Sequence, residues 1–193
     1  MIRKTPPAAR SPRDPFAGRR SRMVEELRAR GVRDERLLSV MGALPRHRFI
    51  ESALSERAYD FATPPIGHGQ TLSSPYTVAL MTQMAELSGA ETALEIGTGS
   101  GYQGAVLSKL VERLFTVERI NALSNRARKI FNELGLANVV CIVGDGTVGV
   151  QSHAPFDVIL VTASGPEIPK PLALQLAEGG RMVTPVKEPN GEE

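Results

Sequence analysis

The stretch Thr92-Ala93-Leu94-Glu95-Ile96-Gly97-Thr98-Gly99-Ser100-Gly101-Tyr102-Gln103 combines an apolar strand, a glycine turn and a helix start. Thr92 to Ile96 reads as a short buried strand, and apolar residues recur at helical spacing from Tyr102 to Val111. Glycines at 97, 99 and 101 let the backbone turn tightly and approach a ligand closely. The helix start behind them offers unpaired N–H groups with a partial positive charge. That is the build of a nucleotide-cofactor cradle. Outward from it, strand-length apolar runs alternate with helical segments. The predicted strands are Thr92–Ile96, Leu114–Val117, Val139–Val143, Phe156–Val161 and Arg181–Val186, and the helices between them run roughly Gly101–Val111, Asn121–Leu134 and Pro169–Ala177. Such alternation predicts right-handed crossovers and a mostly parallel sheet covered on both faces, a three-layer αβα, Rossmann-like fold. Ligands of such sheets bind beyond the carboxyl ends of the strands, so the residues after each strand are the first candidates for a site.

Upstream of the sheet the pattern is helical from Arg19 to about Glu56. Met23, Val24 and Leu27 form one stripe and Leu37, Leu38 and Met41 the next, after a break at Gly31, with Asp34 as N-cap. The stretch from Thr63 to Ser73 is polar and punctuated by Gly and Pro, with no regular period, and reads as an ordered loop. Ser74 then caps a helix with Pro75 at its first position, and Val78, Met81, Met84, Ala85 and Leu87 form its buried stripe up to a stop at Gly89.

A chain of 193 residues suffices for one well-buried domain with a small accessory segment. Residues 21–193 are assigned to that domain, with a helical and loop segment over 21–90 and an α/β core over 91–193. The formal charge of +2 is asymmetric: residues 1–22 hold seven Lys/Arg and one Asp, a net of +6, which leaves −4 for the remainder. With four prolines and little apolar periodicity, residues 1–20 read as a disordered basic arm, a solvated extension rather than a nucleic-acid contact. No signal-peptide core and no run near the ~18 apolar residues of a membrane span is present, so a cytoplasmic protein is expected. Cys141, within Val139–Val143, is expected as a buried structural thiol. His47, His68 and His153 have no partners at metal-ligand spacing, and no metal site is expected.

Spacing discriminates among cofactors. A dinucleotide site reads G-x-G-x-x-G, but Tyr102 occupies the place of the third glycine, which disfavours a nicotinamide-dependent oxidoreductase. The pattern is G-x-G-x-G with an acid, Glu95, two residues ahead, and it is similar to the first motif of S-adenosylmethionine-dependent methyltransferases. Glu118 follows the second strand, where an acid accepts hydrogen bonds from ribose hydroxyls; a surface carboxylate near a helix start is the plainer alternative. Gly144-Asp145-Gly146 follows the third, as an acidic turn that can meet an adenine amino group or as an ordinary turn.

The loop Pro65-Ile66-Gly67-His68-Gly69-Gln70-Thr71-Leu72-Ser73 stands ahead of the strand and glycine turn Leu94 to Gln103. With Val117-Glu118-Arg119-Ile120, Gly144-Asp145-Gly146 and Phe156 to Ala163 behind them, these segments resemble the protein-L-isoaspartate O-methyltransferase family from about residue 22 to residue 186. The resemblance implies a class I methyltransferase fold and methyl transfer from S-adenosylmethionine, leaving S-adenosylhomocysteine. The acceptor it implies is the free carboxylate of L-isoaspartyl residues in damaged proteins and peptides. A monomer with no membrane or nucleic-acid partner is expected. It implies Ser73 as the active-site residue. The implied cofactor set is Thr71, Leu72, Ser73, Glu95, Gly97, Thr98, Gly99, Ser100, Gly101, Glu118, Arg119, Asp145 and Gly146, with the Thr71 and Leu72 backbone closing over the ligand. No general base is required, since a carboxylate with pKa near ~4 is ionised at pH 7. The chain departs from the family pattern at Thr147, where an aromatic residue is usual, and at Ala163-Ser164-Gly165-Pro166, where relatives have Ala-Ala-Pro-Pro. It also stops at Glu193, where relatives continue, so an incomplete carboxyl-terminal end and an exposed sheet edge are expected. A noncatalytic cofactor-binding or protein-interaction domain is the alternative that this departure suggests.

Overall fold

The computed structural model describes residues 14–163 and 169–185. Helices α1 (Ala17–Ala29) and α2 (Glu35–Ala43) open the chain, followed by 3-10 turns at Arg46–Phe49 and Ser52–Arg57. A hairpin of β1 (Pro65–Gly67) and β2 (Gln70–Thr71) leads into α3 (Pro75–Met84). The α/β core comprises β3 (Thr92–Ile96), α4 (Tyr102–Ser108), β4 (Arg113–Glu118), α5 (Asn121–Glu133), β5 (Val139–Val143), β6 (Phe156–Val161), α6 (Lys170–Ala173) and β7 (Leu176–Val183). Its five strands are all parallel, in the order β5-β4-β3-β6-β7. The order reverses between β3 and β6, and the crevice above that switch point is where a ligand of such a sheet sits.

The alternation of side chains along each strand sorts the core into two layers. Ala93, Leu114, Val158 and Leu160 face the larger apolar cluster, which runs from Met23 in α1 to Val183 in β7 and takes in α2 to α5. Leu94, Ile96, Phe115, Val117, Ile159 and Val161 face the other side, where Val150 and Leu172 cover them. In α2, Leu37, Leu38 and Met41 are buried as their spacing predicts, each contributing on the order of 2 kcal/mol by leaving water. Asp34 caps this helix by accepting from the N–H groups of Arg36 and Leu37. Ser74 caps α3 through the N–H of Thr77, with Pro75 in the first turn.

Several sequence expectations shift at element ends. Helix α1 starts at Ala17, inside the span assigned to a disordered arm; residues 1–13 of that arm lie outside the described residues. Phe16 stacks on His47 with ring centroids 4.1 Å apart, and Arg20 bonds the Tyr59 hydroxyl and Asp14, which ties this segment down. Met84, expected in the buried stripe of α3, is 58% exposed. The helix stops before Gly89, with Glu86 in a left-handed conformation at φ 47°. The loop expected over residues 63–73 contains the hairpin, whose turn uses positive φ at His68 (54°) and Gly69 (69°), the combination that matches strand twist in a tight turn. The sixth helix is only four residues long, because the carbonyl of Gln175 accepts from Phe156 N–H and draws the chain into the sheet. As a result β7 begins at Leu176 instead of Arg181. A bulge at Gly179 and Gly180 absorbs the offset between Phe156↔Leu176 and Val158↔Arg181. The expected last residue of that strand, Val186, lies outside the described residues, as do Ser164 to Pro166 and Lys187 to Glu193.

Candidate active site

The glycine turn after β3 is bonded mainly to its own surroundings. The N–H groups of Gly97 and Thr98 donate to the Val117 carbonyl, that of Gly101 to the Thr98 carbonyl, and that of Gly99 to Glu118 Oε2 at 2.8 Å. A phosphate-binding nest needs such N–H groups free to converge on the anion, so this turn suits a cofactor without phosphate. The expectation of several unpaired donors at the helix start is therefore corrected. Gly97 (φ 96°) and Gly99 (φ 52°) keep the turn flat, and a Cβ on Gly97 would stand 2.7 Å from Thr162 Oγ1. Thr162, just after β6, donates to the carbonyls of Ile96 and Gly97, so the two strand ends of the switch point are stitched together.

Glu118 ends β4 almost fully buried, with Oε2 on Gly99 N–H and Oε1 on Ile120 N–H at 2.9 Å. Each oxygen keeps a second lone pair, and Glu118 lines both ends of a continuous cleft. One end of the cleft is lined by Thr71, Leu72, Ser73, Val78, Ser100 and Gln103. The other is lined by Ile96, Val117, Arg119, Ile120, Asp145, Gly146 and Thr147. Gln70, Gly97, Glu118 and Ala163 belong to both ends. Asp145 uses Oδ1 to hold the N–H and hydroxyl of Thr147, which lowers its pKa, and its second oxygen has no partner among the described residues.

At the first end the hairpin delivers Thr71, Leu72 and Ser73 to the cleft wall. The amide of Leu72 donates to the Pro64 carbonyl, and its side chain is buried. The neighbouring serines divide their work. Ser74 Oγ caps α3, accepting from Thr77 N–H at 3.1 Å. Ser73 Oγ has no hydrogen-bond partner among the described residues, and its carbonyl accepts from Arg46 Nη2 at 2.7 Å. Ser74 is thus the cap that the sequence predicts.

The family model for protein-L-isoaspartate(D-aspartate) O-methyltransferase matches residues 18–193 of this chain. The chain belongs to that family. A protein-L-isoaspartate O-methyltransferase of Geobacter metallireducens is 54% identical over 168 residues, 86% of this chain and 78% of the relative. One of Syntrophus aciditrophicus is 52% identical over 174 residues, 90% of this chain and 80% of the relative. A solved protein-L-isoaspartate O-methyltransferase of Plasmodium falciparum, in complex with S-adenosyl-L-homocysteine, is 25% identical and superposes with a TM-score of 0.77 over 88% of this chain and 85% of its own.

Two residues of the methyltransferase motif stand behind the cleft instead of lining it. Glu95 is fully buried on the α4 side of β3, where Thr116 Oγ1 donates to its Oε2 at 2.5 Å and Thr98 Oγ1 lies 2.6 Å from Thr116 Oγ1. Burial pushes its pKa up to about 8. Its place depends on Gly104 of α4, since a Cβ there would come within 2.8 Å of Oε2. Gly101 opens α4 at φ 89° with Ala127 and Phe131 only 3.0 Å from where a Cβ would be. Both shape the glycine turn from below. Sequence reasoning had not assigned Gln70, Val78, Gln103, Ile120, Thr162 or Ala163 to the site. Position after a parallel strand was an available signal for Thr162, Ala163 and Ile120. Gln103 carried no signal, and its amide is oriented by Thr82 Oγ1 at 2.9 Å. Thr147, the departure from the family pattern, lies in the wall of the second end, while Ser164 to Pro166 fall outside the described residues. Among the described residues no group of three metal-ligating side chains gathers, and no helix is long and apolar enough to cross a membrane.

Proposed function

We propose that the cleft binds S-adenosylmethionine and that the chain transfers its methyl group to the free carboxylate of L-isoaspartyl residues in damaged proteins and peptides, the step that starts their repair. The division of labour between Ser73 and Ser74 carries the assignment of the reacting end: the Ser74 hydroxyl is spent on a helix, and Ser73, whose hydroxyl has no partner among the described residues, lines the cleft. The residues fit the cofactor. A glycine turn whose N–H groups are consumed suits a ligand without phosphate. A buried carboxylate with two open lone pairs at the middle of the cleft suits a ribose diol. An end with Ile96, Val117 and Ile120 beside the open oxygen of Asp145 suits an adenine ring and its amino group.

When bound, the cofactor supplies a methyl group activated by its sulfonium. Ser73 donates a hydrogen bond to one carboxylate oxygen and thereby aims the other along the line of displacement. The acceptor is ionised at neutral pH, so no base is needed; alignment of this kind is worth about 7–11 kcal/mol. Glu118 holds the ribose, Asp145 the adenine amino group, and the Thr71–Leu72 backbone closes the cleft, with Gly97, Thr98, Gly99, Ser100, Arg119 and Gly146 forming its walls. Glu95 and Gly101 support the turn beneath. We place the enzyme in the cytoplasm as a monomer that acts on proteins and peptides and not on nucleic acid, in keeping with a net charge of −4 outside residues 1–22. The deciding experiment offers an isoaspartyl peptide and its aspartyl twin with labelled S-adenosylmethionine. Label on the isoaspartyl peptide alone is expected. Equal label on both, or cofactor binding without transfer to either, overturns the assignment and favours a noncatalytic domain.

A further inference from the structure

Arg46 is a fully buried cation with no acidic partner among the described residues. It opens the 3-10 turn Arg46–Phe49 and reaches across 27 residues of sequence to the substrate loop. Nε donates to the Ala58 carbonyl at 2.6 Å and Nη2 to the Ser73 carbonyl at 2.7 Å, while Nη1 has no partner among the described residues. The guanidinium lies over the ring of Tyr102, 4.5 Å from its centroid, on the first residue of α4 behind the glycine turn. Burial draws its pKa down to about 10, so it stays charged at neutral pH.

Burying a guanidinium without a counter-charge is expensive, and two carbonyls could be satisfied by neutral donors. The location of the charge gives the arrangement a use. Arg46 joins the serine end of the cleft to the helix that carries the glycine turn, and it stands directly behind the residue that meets an anionic acceptor. We infer that Arg46 is a positioning residue for methyl transfer, locking the Ser73 backbone so that its hydroxyl is held toward the acceptor, with an uncompensated positive charge behind the anion. This rests on the reading that Ser73 holds the acceptor carboxylate. Because Arg46 acts through Ser73, its contribution depends on the Ser73 hydroxyl being present.

The test is a double-mutant cycle in the full chain with Arg46→Lys, which keeps the charge but cannot span both carbonyls with a planar fork. Steady-state kinetics on an isoaspartyl peptide, calorimetric Kd for S-adenosylhomocysteine and thermal midpoints are measured for the wild type, both single variants and the double variant. Arg46→Lys is expected to lower kcat/KM by about tenfold, mainly through kcat as for Ser73→Ala, with the Kd changed less than about threefold; in the Ser73→Ala background the same substitution is expected to cost less than about twofold. An equal loss in both backgrounds, a parallel loss of cofactor affinity, wild-type kinetics, or loss of the folded state in Arg46→Lys overturns the inference. If the wild type does not methylate the peptide, or Ser73→Ala turns over normally, the underlying reading falls instead.

Discussion

At the scale of single residues the site rests on which polar atoms have been left uncommitted. Ser73 and Ser74 are adjacent and chemically identical, yet one caps α3 and the other faces the cleft. Ser73→Ala is expected to lower kcat by about 10- to 100-fold, the value of a hydrogen bond to a charged group, while the Kd for S-adenosylhomocysteine stays within about twofold. Unchanged turnover removes Ser73 from the mechanism. Glu118→Ala is expected to do the reverse, raising that Kd by about tenfold or more, because it deletes the proposed ribose acceptor and orphans the N–H groups of Gly99 and Ile120. Calorimetry checks this, and an unaltered Kd refutes the ribose role. Sequence position was enough to find Glu118, since the residue after a parallel strand lies at the ligand edge. It was not enough to place Glu95, because the alternation of the strand turns that side chain toward α4 and away from the cleft.

At the scale of elements, strand-length runs that are mostly apolar were legible and short or irregular ones were not. Strands β3, β5 and β6 have the bounds that their apolar runs predict. The β1–β2 hairpin was hidden because strands of three and two residues offer no period to read. The boundary between α6 and β7 was hidden because Leu172 to Ala177 suits either state until Phe156 N–H bonds the Gln175 carbonyl. The glycine turn depends on its junction with α4. Gly101→Ala forces a left-handed conformation on alanine and drives a methyl against Ala127 and Phe131. A loss of about 2–4 kcal/mol is expected, read as a thermal midpoint lower by roughly 4–16 °C in a domain of this size. A midpoint within a degree of wild type would show that the helix start can shift without strain.

At the scale of the whole molecule, two buried glutamates at opposite ends of β3 couple stability to pH with opposite sign. For Glu91, burial acts to raise the pKa, but N–H bonds from Ser88 (2.6 Å) and Gly89 (2.9 Å) outweigh it and hold it at about 2, below its ordinary 4.5. Its contribution is complete above pH 4.5 and is lost as pH falls through 2. Glu95 is the opposite case, raised to about 8, so its contribution is complete below 4.5 and drains away as pH rises through 8. The slope is about 1.4 kcal/mol per pH unit per proton. Chemical denaturation across pH is therefore expected to show that Glu95→Gln flattens the decline between pH 5 and 8, and that Glu91→Gln flattens the loss below 4.5. Parallel curves for wild type and Glu95→Gln would contradict the burial that raises Glu95, and parallel curves for wild type and Glu91→Gln the N–H bonds that lower Glu91. By itself the sequence determined the parallel α/β core, because apolar period and glycine spacing are local consequences of backbone geometry, while the cofactor class and the loop proposed to meet the substrate came from the motifs that carry the family resemblance. Only the tertiary structure decided which acid faces the cleft and that a buried guanidinium with no acidic partner among the described residues stands behind Ser73. Those facts depend on contacts between residues as far apart as 46 and 73 or 95 and 116, and distance along a chain carries no trace of which side chains will meet.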